Sequence, residues 1–348
     1  MNLRSHLLEG QAIPAQPLAL DVNRKLSERH QRAITRYYLD AGVGGLAVGV
    51  HSTQFEIREP EHGLFRPVLE LAASAMDESL KQNPRPFIKI AGICGKTNQA
   101  ISEAELALSF GYQAGLLSMA AWKSEDDETV LEHCRQVAKV IPIIGFYLQS
   151  SVGGRPFPYA FWRKFAEIPE VLAVKIAPFN RYQTIDVVRA VVESGRDDIA
   201  LYTGNDDTIV TDLLTRYDFQ IGGETVSRRI VGGLLGHWGV WTQKSGALLA
   251  EIKKARQQQS IDVAWLSRAV AVTDMNAAVF DPAHGFAGCI PGILEVLRRQ
   301  GLTPSILCLN PHEKLSPGQA EELTRVSRAY PDLIDDAFIA KNLDRWLA

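Results

Sequence analysis

The feature that most constrains the fold of this 348-residue chain is a regular alternation of short apolar runs with amphipathic segments. Eight runs have the character of buried strands: PLALDV (17–22), GLAVGV (45–50), FIKIAG (87–92), AGLLSM (114–119), PIIGFYL (142–148), VLAVKIA (171–177), IALYTG (199–204) and RIVGG (229–233). Continuous apolar strands separated by helices indicate a parallel sheet covered on both faces. Eight such units in about 250 residues predict an α/β protein with a (β/α)8 TIM barrel. A doubly wound open sheet is the alternative.

The segments between these runs predict helices, and the pattern changes near residue 258. Helices are predicted over 26–41, 65–81, 101–110, 126–140, 158–166 and 184–194. Beyond 258 the strands stop and only helical patterns remain, after the polar break RQQQS (256–260). The sequence therefore predicts a barrel domain over 1–257 that carries the active site, and a C-terminal helical domain over 258–348.

Composition and charge exclude several classes of protein. The chain is 46% hydrophobic and 22% charged, with a net charge of −3, which argues against a nucleic-acid partner. No export signal and no membrane-length apolar run is visible, so a cytoplasmic protein without a membrane partner is expected. The four cysteines are far apart and show no metal spacing, which favours reduced thiols and no metal site: Cys94, Cys134, Cys289 and Cys308.

The sixth predicted strand carries a lysine in its interior. Lys175 lies between Val174 and Ile176 in EVLAVKIAPFN (170–180). A buried lysine tends to lose its proton, and the neutral amine is a nucleophile. A lysine that extends from the strand end to solvent is the structural alternative.

A tyrosine near the end of the fifth predicted strand is a candidate partner for this lysine. The carboxyl ends of neighbouring parallel strands lie close together and carry the reactive groups of such barrels, so Tyr147 and Lys175 could both point into the barrel mouth. The amine would form a Schiff base with a ketone and the phenol would move protons. A packed core tyrosine with a bonded hydroxyl is the alternative.

Two stretches carry a resemblance to a known family. GFYLQSSVGGR (145–155) and VLAVKIAPFN (171–180) place Tyr147 and Lys175 28 residues apart. They resemble the tyrosine and Schiff-base lysine strands of the dihydrodipicolinate synthase / N-acetylneuraminate lyase family, and the resemblance extends over roughly residues 15–300. It implies a (β/α)8 barrel with C-terminal helices, a 2-oxo acid such as pyruvate bound to Lys175, Tyr147 as general acid–base, and a homo-oligomer, usually a homotetramer.

The chain departs from the family pattern at several positions. The threonine pair that binds the pyruvate carboxylate aligns with Val50 and His51, and Ser52 and Thr53 follow. The second tyrosine of the synthases falls near Trp122, and their substrate arginine falls near Ser151 or Val152, with Arg155 close by. The resemblance thus implies these substrate-binding residues: His51, Ser52, Thr53, Trp122, Ser151, Arg155 and the glycine of LYTGNDD, Gly204.

These patterns together predict a Schiff-base lyase, an aldolase or dehydratase that joins or cleaves a 2-oxo acid and an aldehyde or sugar-acid partner. The departures argue against lysine biosynthesis, and Trp122 makes the chain similar to the aromatic hydratase-aldolases of the same family. No external cofactor is expected, because the lysine supplies the electrophilic chemistry. Two other functions remain open: a barrel enzyme in which Lys175 is a point charge, and a non-catalytic barrel that binds 2-oxo acids.

Overall fold

A computed structural model describes all residues from 1 to 348. The strands are β1 (Ala12–Pro14), β2 (Gly45–Val48), β3 (Ile88–Ile93), β4 (Ala114–Ser118), β5 (Ile143–Leu148), β6 (Val171–Ala177), β7 (Ala200–Thr203), β8 (Tyr217–Ile221), β9 (Glu224–Arg228) and β10 (Gly232–Leu235). The helices are α1 (Leu3–Leu8), α2 (Glu28–Asp40), α3 (Phe65–Gln82), α4 (Thr97–Ser109), α5 (Asp127–Ala138), α6 (Tyr159–Phe165), α7 (Arg181–Glu193), α8 (Ile209–Leu214), α9 (Thr242–Ala255), α10 (Ala264–Phe280), α11 (Cys289–Arg299), α12 (Gln319–Ala329) and α13 (Asp336–Leu347).

The chain divides into two compact units. The first contains Met1–Gln11 and Ile88–Leu234, and the second contains Ala12–Phe87 and Leu235–Ala348. The C-terminal helices therefore share a unit with β1, β2, α2 and α3. The division into a 1–257 barrel and a 258–348 helical domain stays a prediction.

The first unit is built on parallel strands in the order β10-β7-β6-β5-β4-β3. Every residue of β3 to β7 is buried, which explains why these strands are apolar throughout rather than alternating. The helices α4 to α7 connect them and cover the sheet. Helix α7 begins at the N-cap Asn180, whose side chain accepts from the Gln183 backbone N–H at 3.2 Å.

An antiparallel hairpin, β8 and β9, extends from the first unit between α8 and β10. Tyr217 pairs with Arg228 at its base, and Ile221 pairs with Glu224 at its tip. Gly222 and Gly223 form the turn with φ of 59° and 87°, which fits the type of two-residue turn that requires positive φ at both positions. The hairpin therefore brings the residues on either side of it together.

In the second unit, β1 and β2 run parallel. Ala15 and Ala47 form a parallel bridge, and the Gln16 N–H donates to the Ala47 carbonyl at 2.9 Å. A buried polar network joins α2 to the C-terminal helices: the Tyr37 hydroxyl donates to Asp335 Oδ2 at 2.7 Å. The same oxygen accepts from the Gln243 backbone N–H at 3.1 Å.

The α/β fold class and the (β/α)8 barrel are confirmed, since eight parallel strands alternate with helices along the chain. The predicted strands at 45–50, 87–92, 114–119, 142–148, 171–177 and 199–204 each overlap an observed strand. The predicted strand at 229–233 begins later, at Gly232. No helix is both long enough and apolar enough to cross a membrane.

The prediction of a strand at 17–22 is wrong, because a turn forms there. The Asp21 side chain accepts from the backbone N–H groups of Asn23 at 2.7 Å and Lys25 at 2.9 Å. Such bonds stabilise a turn rather than a strand. Leu20 makes only an isolated antiparallel bridge with Leu26, and the first strand is β1.

Asp335 offers a direct test of the polar network in the second unit. Asp335→Ala should lower the free energy of unfolding by about 2–3 kcal/mol, because it leaves buried donors without an acceptor. Urea unfolding followed by circular dichroism measures this. Asp344→Ala, which removes an exposed carboxylate from α13, is the control and should change stability little. Equal effects of the two substitutions would contradict the role of the network.

Candidate active site

Lys175 is held inside the first unit. Its side chain is only 8% exposed, and every residue of β6 is buried. The Nζ atom lies 4.2 Å from the centroid of the Phe146 ring, so the amine contacts an aromatic face. Burial lowers the pKa of Lys175 to about 8, although the nearby charge of Asp206 raises it. The amine is thus partly neutral close to neutral pH, as a lysine nucleophile requires.

Gly204 leaves the space that the Lys175 side chain occupies. A Cβ atom at Gly204 would lie 2.8 Å from Lys175 Cε and 2.7 Å from the Ala177 Cβ, both too close. The Gly204 N–H donates to the Ile176 carbonyl at 2.7 Å, which fixes this backbone beside β6. The structure therefore places Gly204 beside the amine, where its lack of a side chain is what matters.

A register shift between β5 and β6 decides which aromatic residue lies beside Lys175. Ile143 is opposite Val171, 28 residues further on, whereas Phe146 is opposite Lys175, 29 residues further on. The shift follows Ile143, where β6 contains one additional residue. A spacing of 28 residues therefore does not place Tyr147 opposite Lys175. Phe146 takes that position.

Tyr147 points to the other face of β5. Successive side chains of a strand alternate between faces, and the Tyr147 ring packs 5.0 Å from the Trp162 ring of α6, centroid to centroid. Its hydroxyl donates to the Phe157 carbonyl at 3.3 Å and accepts from the Phe157 N–H at 3.2 Å. Burial raises the pKa of Tyr147, the Phe157 backbone bond lowers it and Asp186 raises it. The structure does not bring Tyr147 and Lys175 together.

A polar network holds the loops that follow β6 and β7. Asn205 is buried, and its Oδ1 atom accepts from the Phe179 backbone N–H at 2.9 Å. Phe179 has a φ of 51°, a conformation that is strained for this residue type. The Asn205 Nδ2 atom donates to Asp212 Oδ2 at 3.0 Å, and Arg181 forms an ion pair with the same carboxylate. This network fixes the loop that carries Asp206 near the amine.

Sequence reasoning missed Phe146, Asn205 and Asp206 as parts of the site. In the GNDD run (204–207) the sequence indicates only Gly204 as part of the site, because carboxylates at the start of a helix are expected as capping groups. Its asparagine instead bonds to the neighbouring loop, and its first aspartate acts on Lys175 through charge. The position of the run directly after a strand was the available signal, because loops at that end carry the chemistry of such barrels.

Arg155 is occupied by bonds within the protein. Its Nη1 atom donates to the carbonyl oxygens of Trp122 at 3.0 Å and Glu125 at 2.6 Å. Its Nη2 atom forms an ion pair with Asp127, and the guanidinium lies 4.4 Å from the Phe157 ring centroid. Arg155 therefore joins the loop after β5 to the loop after β4. Its predicted contact with a substrate would require these bonds to break.

Trp122 and Ser151 lie in the loops after β4 and β5. The Trp122 side chain is buried, with the Lys96 Nζ atom 4.0 Å from its ring centroid and the His133 ring 4.7 Å away. Burial lowers the pKa of His133 to about 4, with a smaller contribution from Lys96. Ser151 is exposed in a short 3-10 turn, Ser150–Val152. Trp122 thus belongs to an aromatic and cationic cluster, and Ser151 faces solvent.

The hydroxyl groups of Ser52 and Thr53 are bonded to the backbone of the second unit. Ser52 Oγ donates to the Ala15 carbonyl at 2.9 Å, and Thr53 Oγ1 donates to the Gln16 carbonyl at 2.6 Å. Both residues are buried, and Thr53 Oγ1 also accepts from the backbone N–H groups of the turn. Half-buried His51 lies beside Phe55, with ring centroids 5.9 Å apart. The two hydroxyls hold the turn after β2, and their carboxylate-binding role stays a prediction.

One set of side chains could approach a metal ion. Glu59, Glu61 and His62 offer ligand atoms within 4.8 Å of one another. Glu59 and Glu61 are exposed, and exposed acidic groups commonly lie close together without a metal. The set belongs to the second unit and lies away from Lys175 in sequence.

The chain has distant relatives among curated proteins. No protein-family model matches it. The 4-hydroxy-tetrahydrodipicolinate synthase of Nitratidesulfovibrio vulgaris is 23% identical over 191 residues, 54% of this chain and 61% of that protein. The synthase of Thiobacillus denitrificans is 26% identical over 188 residues, 53% of this chain and 58% of that protein. The matched stretches cover less than two thirds of these curated relatives' own length.

A solved structure extends the likeness to most of the chain. The N-acetylneuraminate lyase of Fusobacterium nucleatum matches with a TM-score of 0.70 and 16% identity, over 93% of this chain and 99% of that one. At this identity the likeness shows the fold. The predicted resemblance to the dihydrodipicolinate synthase / N-acetylneuraminate lyase family is confirmed as a distant likeness, in sequence to the two synthases and in fold to the lyase.

The buried amine predicts an unusual pH dependence of stability. Below about pH 8 folding must bury a protonated Lys175, whereas above about pH 10.4 the amine is neutral in both states. Lys175→Met should therefore raise the free energy of unfolding at pH 7 by up to about 3 kcal/mol. This stabilisation by Lys175→Met should fall towards zero as the pH rises from about 8 to about 10.4. Urea unfolding of both proteins at pH 7, 8.5 and 10 checks this, and a difference that does not change with pH would contradict it.

Proposed function

We propose that the chain is a Schiff-base-forming lyase, an aldolase or dehydratase, with Lys175 as the nucleophile. The observation that carries the proposal is the Lys175 amine, buried against Phe146 and lowered in pKa to about 8. Its position near the carboxyl end of β6 is where (β/α)8 barrels carry their reactive groups. The family likeness supports the same chemistry.

The reaction would begin with attack of the neutral Lys175 amine on the carbonyl carbon of a 2-oxo acid such as pyruvate. Loss of water from the resulting carbinolamine leaves a protonated imine. Removal of a proton from the adjacent carbon gives an enamine, which attacks an aldehyde and forms a carbon–carbon bond. Hydrolysis of the new imine releases the product and restores the amine. Cleavage is the reverse sequence, and no external cofactor takes part.

The proton transfers require a general acid–base close to Lys175. The Asp206 carboxylate supports this role, because its charge acts on the amine and its loop is fixed by Asn205. Tyr147 is the alternative that the sequence predicts. A change in the orientation of Tyr147 would be needed, since its hydroxyl is bonded to the Phe157 backbone.

The surroundings of the amine favour an acceptor that is larger or more apolar than the substrate of lysine biosynthesis. Phe146 lies against Lys175, and by the sequence resemblance the second tyrosine of the synthases falls near the buried Trp122. Arg155, the candidate for a substrate carboxylate, is engaged by protein carbonyls. An aromatic aldehyde partner, as for a hydratase-aldolase, fits these features. A cytoplasmic homo-oligomer, a dimer or tetramer, remains part of the proposal and is supported by the family resemblance.

A second function is favoured by one observation. The Ser52 and Thr53 hydroxyls already donate to backbone carbonyls. If no other group relays protons in their place, the chain would bind 2-oxo acids through Lys175 without turning them over. Formation of a pyruvate adduct with no product from any aldehyde would support this function.

Trapping with borohydride tests the nucleophile. Pyruvate and sodium borohydride should add mass irreversibly to the peptide that contains Lys175, and Lys175→Ala should abolish the addition. The rate should rise with pH and level off above about pH 8, because the neutral amine reacts. Mass spectrometry after proteolysis measures both.

Lys89 provides the matched control for this experiment. It is the other buried lysine of a strand, in β3, and is 9% exposed. Lys89→Ala should retain the adduct. An unlabelled Lys175 across a broad panel of 2-oxo acids, or equal labelling of Lys89, would count against the proposal.

A pair of substitutions separates the two candidate acid–base groups. Without borohydride, the enzyme should exchange the methyl protons of pyruvate with solvent. Asp206→Asn should slow this exchange by about 10²–10⁴-fold, the usual effect of losing a general acid–base group. Tyr147→Phe should slow the exchange by less than about threefold, because its hydroxyl bonds to backbone. Proton exchange followed by NMR measures both rates. The reverse result would restore Tyr147 to the role predicted from sequence.

A further inference from the structure

The first unit contains a cavity of about 290 Å³ at the end of β7 opposite to Gly204. One side of it is formed by the start of β7 and by Leu8 at the end of α1, and the other side by the base of the β8–β9 hairpin. Leu201 is opposite Val174, the residue before Lys175, and successive side chains alternate between faces, so Leu201 and Lys175 point to opposite faces of the sheet. The cavity is therefore separate from the surroundings of the Lys175 amine.

Three arginines line this cavity, and the hairpin collects them. Arg216 directly precedes β8, Arg228 ends β9, and Arg229 follows it. Pairing of Tyr217 with Arg228 closes the hairpin, so residues distant in sequence meet at its base. Ser227 also lines the cavity, and its hydroxyl donates to Asp218 Oδ1 at 2.6 Å.

The positive charge of these arginines is only partly balanced. Arg216 forms an ion pair with Asp218 at 2.9 Å. Arg228 donates to the Arg196 carbonyl at 2.9 Å, and Arg229 Nη1 donates to the Leu214 carbonyl at 2.8 Å. These last two partners are neutral. Three guanidinium groups thus face one carboxylate, and each guanidinium has five N–H donors.

The guanidinium groups also act on one another. Burial lowers the pKa of Arg229, and the neighbouring Arg216 lowers it further, while Asp218 raises it. An anion in the cavity would relieve this repulsion and accept the remaining donors. Arginine suits carboxylate and phosphate groups because its planar fork of donors matches their oxygen atoms.

The rest of the lining is apolar: Leu8, Ile199, Ala200, Leu201 and Val231. A cavity of about 290 Å³ has the volume of about ten liquid water molecules, near the lower end for small-molecule sites. An inorganic ion would leave the apolar side chains in contact with water. A ligand with an anionic head and a short apolar portion would cover both parts.

We propose that this cavity, lined by Arg216, Arg228 and Arg229, binds a small organic anion: a carboxylate or phosphate with a short apolar portion. The site is independent of Lys175. Its existence depends on the hairpin, which holds the arginines beside the start of β7.

Isothermal titration calorimetry on the full chain at low ionic strength tests the proposal. The two anionic probes are butyl phosphate and butanoate. Two partial probes serve as controls: inorganic phosphate lacks the apolar part, and butan-1-ol lacks the anionic part. At least one of the two anionic probes should bind saturably and more tightly than either partial probe. Which of them binds identifies the head group. No saturable binding of either anionic probe would overturn the proposal.

Charge-matched variants locate the binding. Arg229→Gln and Arg216→Gln should each weaken the binding at least about fivefold, because each removes guanidinium donors. Arg163 lies on α6 and forms an ion pair with Glu167, so Arg163→Gln makes the same change in net charge and should have no effect. Arg216 is exposed, so its variant provides the test if Arg229→Gln is unstable. Lys175→Ala should bind like the unmodified protein, and equal binding by all the arginine variants would contradict the assignment.

Discussion

The energetic constraint on which the site depends is the burial of the Lys175 amine. A charged lysine in a strand that is buried along its whole length is costly, and the neutral form is favoured. The surroundings stabilise the amine only weakly: an aromatic face at 4.2 Å and an aspartate that acts through charge. A close ion pair would raise the pKa of Lys175 and remove its reactivity. The arrangement therefore favours a neutral amine, as the proposed nucleophile requires, rather than a structural cation.

This arrangement requires precise backbone positions on both sides of β6. On one side Gly204 must lack a Cβ, since any side chain would displace Lys175 Cε. On the other side, the additional residue in β6 shifts the register between β5 and β6 by one position. Phe146 rather than Tyr147 therefore lies opposite the lysine. A shift of one residue moves a side chain to the opposite face of the sheet. One inserted residue thus changes the candidate chemistry from a phenol to an aromatic surface.

The sequence predicted the parts of the structure that depend on periodicity. The alternation of apolar runs and amphipathic segments identified six strands and the helices between them, because burial on both faces requires continuous apolar residues. It predicted Lys175 as buried for the same reason. It could not predict the register shift, because both β5 and β6 remain apolar with or without an additional residue. It also missed the β8–β9 hairpin, whose exposed strands lack a continuous apolar run.

The residues predicted to bind substrate show a further limit of sequence reasoning. Serine, threonine and arginine side chains can contact a ligand or support a loop, and their residue types do not distinguish the two uses. In the structure, Thr53 bonds to the Gln16 carbonyl, and Arg155 to the carbonyls of Trp122 and Glu125. Each bond satisfies a carbonyl oxygen that would otherwise be costly to bury.

Among the polar groups in the loops after β6 and β7, some support the backbone and one acts on the Lys175 amine. Asn205 donates to the Asp212 carboxylate and accepts from the Phe179 backbone N–H, and it thereby holds the strained Phe179 in place. Asp206, the next residue after Asn205, is half-buried and lies where its charge acts on Lys175. Under the proposed function, this carboxylate would remove and return the proton in the imine and enamine steps. In that proposal the Phe146 ring beside the amine, rather than an additional charged group, would select the partner.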